Sequence, residues 1–280
     1  MADPTLVRVD TRSRPGVWAP YRAVLASRVR AQRVYRMSFA LDVTSAVLIG
    51  FVEFAEMWVI VRAVRVLGGL DLPAMTLLFG LANVCWSLAD MVAGHLDNLP
   101  TYLREGRLEA FYLRPQPVLA QLLASDISLR RLGRLTVGVG ALGYGLVVAG
   151  VAWSPVAVLL LVLSVLSGTA IFAGLFVWAA GLQFFLVNAP EFANAFTYGG
   201  SYAATQPLPV LSPALRLVFG WVVPVTFVAY LPTVWLLGLP GAPGFPAWSA
   251  WCAPFVAVAV WVVGLLVWRW GSRHYQSGGG

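Results

Sequence analysis

Charged residues are scarce in this sequence. Only 11% of the 280 side chains are Asp, Glu, Lys or Arg, against roughly 25% in soluble globular proteins. Hydrophobic side chains make up 59% of the chain. Such a composition supplies too little polar surface to cover a fold in water. It excludes an ordinary soluble protein and indicates one embedded in a bilayer.

Lysine is absent, and all 19 basic residues are arginine. A P-loop nucleotide site needs a lysine on the phosphates, and Schiff-base chemistry needs an amine. The chain can therefore house neither. ATP binding through a P-loop would have to occur in another protein.

Cysteine and histidine are also rare. Cys85 and Cys252 lie inside apolar stretches, whereas His95 and His274 lie outside them, near opposite ends of the chain. This spacing predicts neither a metal site nor a disulfide framework. The sequence around Ser201 lacks the trailing glycine of a serine nucleophile motif, so we expect no catalytic residues in this chain.

Six apolar stretches account for most of the length. Each can cross a hydrocarbon core, which needs about 20 helical residues. They are apolar on every side, which favours helices over the alternating strands of a barrel. The sequence thus predicts an all-α, polytopic membrane protein with six transmembrane helices. The predicted spans are 38–62, 73–94, 132–153, 156–188, 214–238 and 250–270.

The spans predict three regions. Residues 1–37 form an N-terminal cytoplasmic or interfacial segment, 38–270 form the transmembrane domain, and 271–280 form a tail ending in a linker-like Ser-Gly-Gly-Gly. Residues 18–36 place apolar side chains on one side of a helical wheel, which favours an amphipathic helix in the membrane interface. The alternative is an arginine-rich tether that only enforces orientation.

Arginine positions predict the orientation of the spans. Eight precede the first span, six lie in or beside the 95–134 connection, and Arg216, Arg269 and Arg273 fall on the same predicted side. Only Arg62 and Arg65 fall on the other side. By the positive-inside rule, both termini and the connections 95–131 and 189–213 are expected in the cytoplasm of a cell with an inner membrane. Because orientation explains the positive charge, we expect no nucleic-acid partner.

Four acids lie within or beside the apolar stretches, at positions 42, 53, 56 and 90. A carboxylate at membrane depth is costly and by default faces protein or water. Glu53 and Glu56 share a helical face, and they could bind a cation or proton or line a substrate path. The alternative is a structural bond to a neighbouring helix or to an arginine of a partner subunit.

Small residues recur four apart in two later spans. The pairs Ala141/Gly145, Ser164/Gly168 and Ala170/Gly174 let helix backbones approach closely. They predict packing inside one subunit or, alternatively, a subunit interface.

The connection 95–131 is too polar to enter the bilayer but carries an apolar stripe. Apolar residues recur at helical spacing on both sides of Gly106, and Arg114-Pro115 ends the pattern. They are Leu96, Leu99 and Leu103 before the glycine and Leu108, Phe111 and Tyr112 after it. We expect short cytoplasmic helices whose stripe needs a partner. That partner could be another protein or the chain's own inner surface.

Residues 104–115 of this connection read REGRLEAFYLRP. The run resembles the Arg-x-Gly-x-(Leu/Ile)-Asp-x-x-Leu-x-Arg-Pro signature of a six-span branch of type-2 ATP-binding-cassette (ABC) exporter permeases. Glu109 replaces the usual aspartate and Tyr112 the usual leucine. The resemblance extends from about residue 20 to 270.

The resemblance implies a permease subunit that moves an amphipathic small molecule, lipid or peptide out of the cytoplasm or inner leaflet. Its partners would be two ABC ATPase subunits, which carry ATP and magnesium, and a second permease, identical or a sister chain, surrounded by membrane lipid. Other hypotheses are an ion-gradient transporter using Glu53 and Glu56 and a non-transporting accessory subunit.

The family also implies roles for individual residues. Leu99, Leu103 and Leu108 would bury in a groove of the ATPase as part of a coupling helix. The other coupling candidates are charged residues at the groove's rim, a glycine at the turn and the exit pair: Arg104, Arg107, Glu109, Gly106, Arg114 and Pro115. The candidates for the substrate path between two permeases are Glu53, Glu56, Asn83, Trp86 and Tyr230.

Overall fold

A computed structural model describes residues 36–125, 131–186 and 190–275 of the chain. Within these ranges the fold is helical, and the only extended pairings are two isolated bridges, Leu67–Leu70 and Ala242–Phe245. The predicted interfacial helix at 18–36, apart from Arg36, lies outside the described residues, as does the 277–280 tail. The α-helices are α1 (Arg36–Val64), α2 (Leu72–Ala93), α3 (Leu99–Arg104), α4 (Glu109–Tyr112), α5 (Val118–Ser125), α6 (Leu132–Val148), α7 (Pro155–Gln183), α8 (Pro190–Ala204), α9 (Pro213–Leu217), α10 (Tyr230–Leu236) and α11 (Ala253–His274).

Three of the described helical stretches are long and apolar enough to cross a membrane: Leu72–Arg104, Pro155–Gln183 and Ala247–His274. A bent pair, Pro213–Val222 with Val225–Leu236, makes a fourth if it is counted as one span. Helix α6 is apolar but has only 17 residues. The all-helical, membrane-embedded class predicted from the sequence is confirmed to this extent.

Helix α2 lies at the centre of the bundle. Asp71 caps its start by accepting a hydrogen bond from the backbone N–H of Ala74 at 3.0 Å, and Pro73 occupies its first turn. Most of its length is buried against α6, α7 and α8. Glycine makes the α6 contact possible, because a Cβ on Gly145 would lie 2.6 Å from the backbone of Leu77.

Helices α2, α7 and α11 run in the same direction. Gly168 of α7 faces Cys85 of α2, while further along α7 Gly181 lies against Trp268 near the end of α11. The small residues of these helices thus pack within this one chain. Their starts lie at one end of the bundle and their C-terminal ends at the other.

Helix α8 runs the opposite way, between the two ends of α2. Midway along it, the Tyr198 hydroxyl donates to Asp97 Oδ2 at 2.9 Å, just beyond the C-terminal end of α2. After α8 ends, Pro207 lies against Gly68 in the loop before α2 begins, with 2.7 Å between its Cβ and a Cβ built on Gly68. The prediction that 189–213 is a cytoplasmic connection is therefore at odds with the fold. The Gly, Ala, Ser, Thr and Tyr residues of α8 make this helix too polar for a span that faces lipid. It can lie in the bundle because it packs against other helices of the chain.

The predicted fifth span, 214–238, is broken rather than continuous. After α9 the chain forms a π-helical turn, Val218–Val222. Pro224 follows this turn, and the next helical stretch, Val225–Leu236, is bent by 72° from the preceding one. The broken tip packs beside Gly200 of α8. The return helix α10 brings Trp235 against Trp251, which immediately precedes α11, with 5.5 Å between their ring centroids.

These contacts bring both ends of residues 213–236 to the end of the bundle that holds Gly68, and we call these residues the re-entrant segment. The position of Arg216, in α9 at the start of this segment, is fixed by two hydrogen bonds. Its guanidinium donates to the carbonyl oxygens of Pro209 and Leu211 at 2.7 Å each. Arg216 therefore lies at the end of the bundle that holds the loop before α2, with Arg62 and Arg65, whereas the sequence predicted that it lies on the opposite side from them.

Residues 94–125, which we call the linking segment, cover the opposite end. A 3-10 helix, Gly94–Asn98, continues α2 directly, and α3, α4 and α5 follow. Between α3 and α4 the backbone of Gly106 has a φ of 65°, a left-handed conformation that favours glycine. The predicted short helices in this connection are confirmed.

Candidate functional site

A cavity of about 260 Å³ lies among α1, α2, α6 and α8, and we call it the polar cavity. Its walls carry two of the three acidic residues of α1, Glu53 and Glu56, together with side chains from each of the other three helices. The residues that line it are Glu53, Glu56, Met57, Ile60, Leu67, Phe79, Arg134, Tyr198, Ser201, Tyr202, Thr205 and Gln206.

Glu53 forms an ion pair across the cavity floor with Arg134 of α6. One guanidinium nitrogen, Nη2, lies 2.8 Å from Oε1 and 2.6 Å from Oε2 of the carboxylate. Arg134 Nε also donates to Asn83 Oδ1 at 3.2 Å, and Asn83 Nδ2 donates to the carbonyl oxygen of Phe79 at 3.1 Å. This network ties α1, α2 and α6 together and uses up the charge of Glu53.

Glu56 stands one helical turn further along α1 and makes no hydrogen bond or ion pair among the described residues. Its side chain is exposed on the chain surface and borders the polar cavity. The two carboxylates and one guanidinium leave one formal negative charge in the cavity unbalanced. Because an unpaired carboxylate within a membrane is costly, Glu56 is the candidate residue for binding a cation from outside the chain.

The α8 wall presents hydroxyl groups that are set up to accept hydrogen bonds. The Ser201 hydroxyl donates to the carbonyl oxygen of Tyr198 at 2.8 Å, and the Thr205 hydroxyl donates to that of Tyr202 at 2.7 Å. Because each proton is directed to the helix backbone, the oxygen lone pairs remain available to a ligand. The Tyr198 phenol is already committed to Asp97.

The predicted path residues separate into two groups. Glu53 and Glu56 line the polar cavity, but Asn83, Trp86 and Tyr230 are all at most 3% exposed and belong to the chain's own interior. Asn83 nonetheless positions the Arg134 guanidinium. Trp86 stacks on Phe176 with ring centroids 5.1 Å apart and serves as core.

Sequence reasoning missed Arg134 and the polar face of α8. In the sequence, Arg134 served only as one of the arginines that predict the orientation of the spans. In the structure it lies in the first turn of α6, and its guanidinium pairs with Glu53. The α8 residues did carry a signal. Tyr198, Ser201, Tyr202 and Thr205 are spaced i, i+3, i+4 and i+7, which is one face of a helix.

The three leucines among the predicted coupling residues lie in the chain's own core or pack against it. Leu99 is 1% exposed and Leu108 is fully buried within the chain, and Leu103 packs partly against the same cluster. The structure buries these two side chains within the chain, whereas the sequence predicted their burial in a partner's groove.

The other face of the linking segment is exposed. Leu113 is 87% exposed and Tyr112 is 48% exposed, and they are flanked by the exposed Arg104, Arg107 and Arg114. We call these five residues the outer face of the linking segment. A leucine left this exposed beside three cations has the composition of a protein contact surface, with an apolar centre and a polar rim.

The core holds this exposed turn in place. The Gln121 side chain donates to the carbonyl oxygens of Phe111 and Gln116, at 3.0 Å and 2.8 Å. The Tyr112 ring stacks on Tyr275 at the end of α11, with centroids 6.3 Å apart. Burial, together with the neighbouring phenol of Tyr275, raises the pKa of Tyr112, so this ring stays neutral at physiological pH.

Two ion pairs anchor the start of α6 to its neighbours. Arg131 pairs with Asp90 near the end of α2 at 2.8 Å, and one turn later Arg134 pairs with Glu53 of α1. The second of these pairs lies in the wall of the polar cavity.

No group of three His, Cys, Asp or Glu side chains among the described residues could hold a metal ion.

A sequence-family model described as ABC-2 family transporter protein matches residues 47–279. The matched range takes in all helices from the middle of α1 to the end of α11. No curated protein and no solved structure matches the chain.

Proposed function

Because the chain belongs to the ABC-2 transporter family, as the match over residues 47–279 shows, we propose that it is the permease subunit of an ATP-driven exporter. Membrane components of this family work with separate ABC ATPases. The proposal adds the direction of transport, outward from the cytoplasm or inner leaflet, and the assembly of two permeases with two ATPase subunits. ATP and magnesium are bound by the partner ATPase.

The family match is the observation that carries this proposal, and the outer face of the linking segment supports it. A permease without a P-loop lysine must receive mechanical work through a protein contact. The exposed Leu113, with its cationic rim, offers such a contact at the end of the bundle opposite the re-entrant segment. The coupling role shifts from Leu99 and Leu108 to this face, while Leu103, Gly106, Glu109 and Pro115 support its shape.

The proposed topology has six crossings: α1, α2, α6, α7, α8 and α11. The segment 213–236 enters and leaves from the outer side. This arrangement keeps on the cytoplasmic side the eight arginines up to Arg36 at the start of α1, the six in or beside the linking segment, and Arg269 and Arg273. Arg62, Arg65 and Arg216 lie outside. The distribution of arginines still follows the positive-inside rule, which supports the proposal that both termini lie in the cytoplasm of an inner-membrane protein.

The second permease would contact the exposed side of α1. Leu48, Ile49, Phe51 and Val52 are between 56% and 64% exposed around the level of Glu53. Joining two such faces would place the two polar cavities near the shared path. The partner is a second copy of this chain or a sister permease.

The test is to express the chain with its ABC ATPase and purify the chain in detergent. The account expects the ATPase in the purified complex, and transport in inverted vesicles that depends on ATP hydrolysis. A chain that purifies without an ATPase, and whose transport follows an ion gradient but not ATP, would overturn the proposal. Chain stoichiometry in the same sample distinguishes a homodimer from a pair of sister permeases.

A further inference from the structure

We infer that the polar cavity binds a primary ammonium group, so that the exported substrate is an amphiphile with an amine head and an apolar body. This inference rests on the proposed function and names its substrate class. Glu56, the oxygens on α8 and the engaged state of Arg134 carry it.

The first step is charge. Arg134 is held by Glu53 through two carboxylate oxygens and by Asn83. Its charge is therefore matched, and Glu56 supplies the unbalanced negative charge of the cavity. An ion pair in a site of low dielectric constant is strong, so a cation is favoured there over a neutral or anionic head.

The second step is hydrogen bonding. A primary ammonium group donates three hydrogen bonds and accepts none. Glu56 offers carboxylate oxygens, and Ser201 and Thr205 offer oxygens whose protons are already donated to the α8 backbone. The cavity thus supplies acceptors where the ligand has donors. A trimethylated amine has the same charge but no N–H groups, so it should bind less tightly.

The third step concerns Arg134 of a second copy as a partner of Glu56. Among the described residues, Arg134 is the arginine that lines the cavity, and Glu53 already occupies its guanidinium. A homodimer would bring another engaged Arg134 and another unpaired Glu56. Pairing two copies therefore doubles the negative charge and does not neutralise it.

The fourth step is the apolar body. The cavity opens beside α1, whose side chains around Glu56 are exposed and apolar, including Val52 and Val59 at 64% and 57%. Phe79 and Tyr202 add aromatic faces to the cavity wall. A head held at Glu56 would leave its tail along this surface, in lipid or against the second permease.

The experiment uses the full chain in nanodiscs of zwitterionic lipid, without ATP. Binding of radiolabelled dodecylamine is measured by scintillation proximity, with empty nanodiscs subtracted. Dodecanol and dodecanoate carry the same tail, and dodecyltrimethylammonium carries the same charge without donors. We expect saturable binding of dodecylamine that is at least about tenfold tighter than that of the other three, a difference of about 1.4 kcal/mol.

Two variants locate the binding. Glu56→Gln keeps the shape of the side chain and should weaken dodecylamine binding about tenfold or more. Glu191→Gln removes an exposed acid at the start of α8, outside the cavity, and should leave the affinity unchanged. The double variant E53Q/E56Q leaves Arg134 as the cavity's charge and should prefer dodecanoate to dodecylamine. Gel filtration of each variant confirms that it is folded.

Equal binding of dodecylamine to the natural chain and to Glu56→Gln would overturn the inference. So would dodecanol binding as tightly as dodecylamine, because the cavity would then recognise only the tail. Either result would leave the ATPase partnership intact. Conversely, specific amine binding by a chain that never carries an ATPase would overturn the proposed exporter and retain the amine site.

Discussion

The two faces of the linking segment differ in a way that their sequence pattern does not show. Leu99 and Leu108 on one face are within 1% of complete burial, whereas Leu113 on the other is 87% exposed. All three belong to the same run of leucines around Gly106. The difference teaches that the apolar stripe anchors the segment to its own bundle and that a separate, smaller surface is left for a partner.

A change on the buried face should have the largest effect. Leu108→Asp would bury an unpaired carboxylate in the core at a cost of several kcal/mol. We expect little folded protein in the membrane, measured as the monodisperse peak in fluorescence-detected gel filtration. Normal yield with a detached ATPase would instead place Leu108 on the docking surface and break the comparison.

Leu113→Asp should have a large effect of another kind. The side chain is already exposed to solvent, so the folded yield should stay near that of the natural chain. Co-purification of the ATPase should fall by about tenfold or more, because an apolar contact becomes a desolvated charge. Leu103→Asp is a less clean variant, since Leu103 packs partly against the core and would mix both effects.

Gly106→Val should have an intermediate effect both on the yield of folded protein and on coupling to the ATPase. Gly106 has a φ of 65°, and a β-branched residue there costs about 1–3 kcal/mol. No atom lies within 4 Å of a Cβ at this position, so the cost is in the backbone and not in a clash. We expect partial loss of folded yield and of substrate-stimulated ATPase activity. Gly106→Asn is the matched control, because Asn tolerates this conformation better.

Arg107→Gln should have the smallest effect on stability. Arg107 pairs with Glu105 at 2.5 Å, but both side chains are more than half exposed. Such surface pairs contribute less than about 1 kcal/mol. The melting temperature should change by no more than a few degrees, while any loss of ATPase binding would assign Arg107 to the rim of the docking surface. A large loss of stability would contradict the division into a core face and an exposed face.

The sequence predicted the helical class and most helix positions, because long apolar runs leave little choice of structure in a bilayer. It also predicted the short helices and the turn at Gly106. It could not separate the buried leucines from the exposed one. Burial of Leu99 depends on how the segment folds back under α2 and α7, which is a long-range contact.

The sequence predicted a transmembrane span at 214–238 and a connection at 189–213. In the structure, α8 lies within that predicted connection and runs along the bundle, whereas the predicted span is bent back on itself. Hydropathy favours 214–238 as a span because that segment is apolar, but the segment is broken at Pro224, and its second half, from Val223 on, is buried in the chain. Helix α8, which forms one wall of the polar cavity, has a sequence polar enough to resemble a loop. Arg134 was missed for a related reason, since its acid partner is 81 residues away in sequence.

The central claim, that an ABC ATPase docks on the outer face of the linking segment, has a direct test. A photo-crosslinking amino acid is placed at Leu113 and, in a separate variant, at Leu217, which is 62% exposed on the re-entrant segment at the other end of the bundle. After irradiation of the purified complex, the crosslinked peptides are identified by mass spectrometry. The account predicts crosslinks to the ATPase from position 113 and none from position 217. An ATPase that remains in the complex but crosslinks from position 217 and not from position 113 would contradict it.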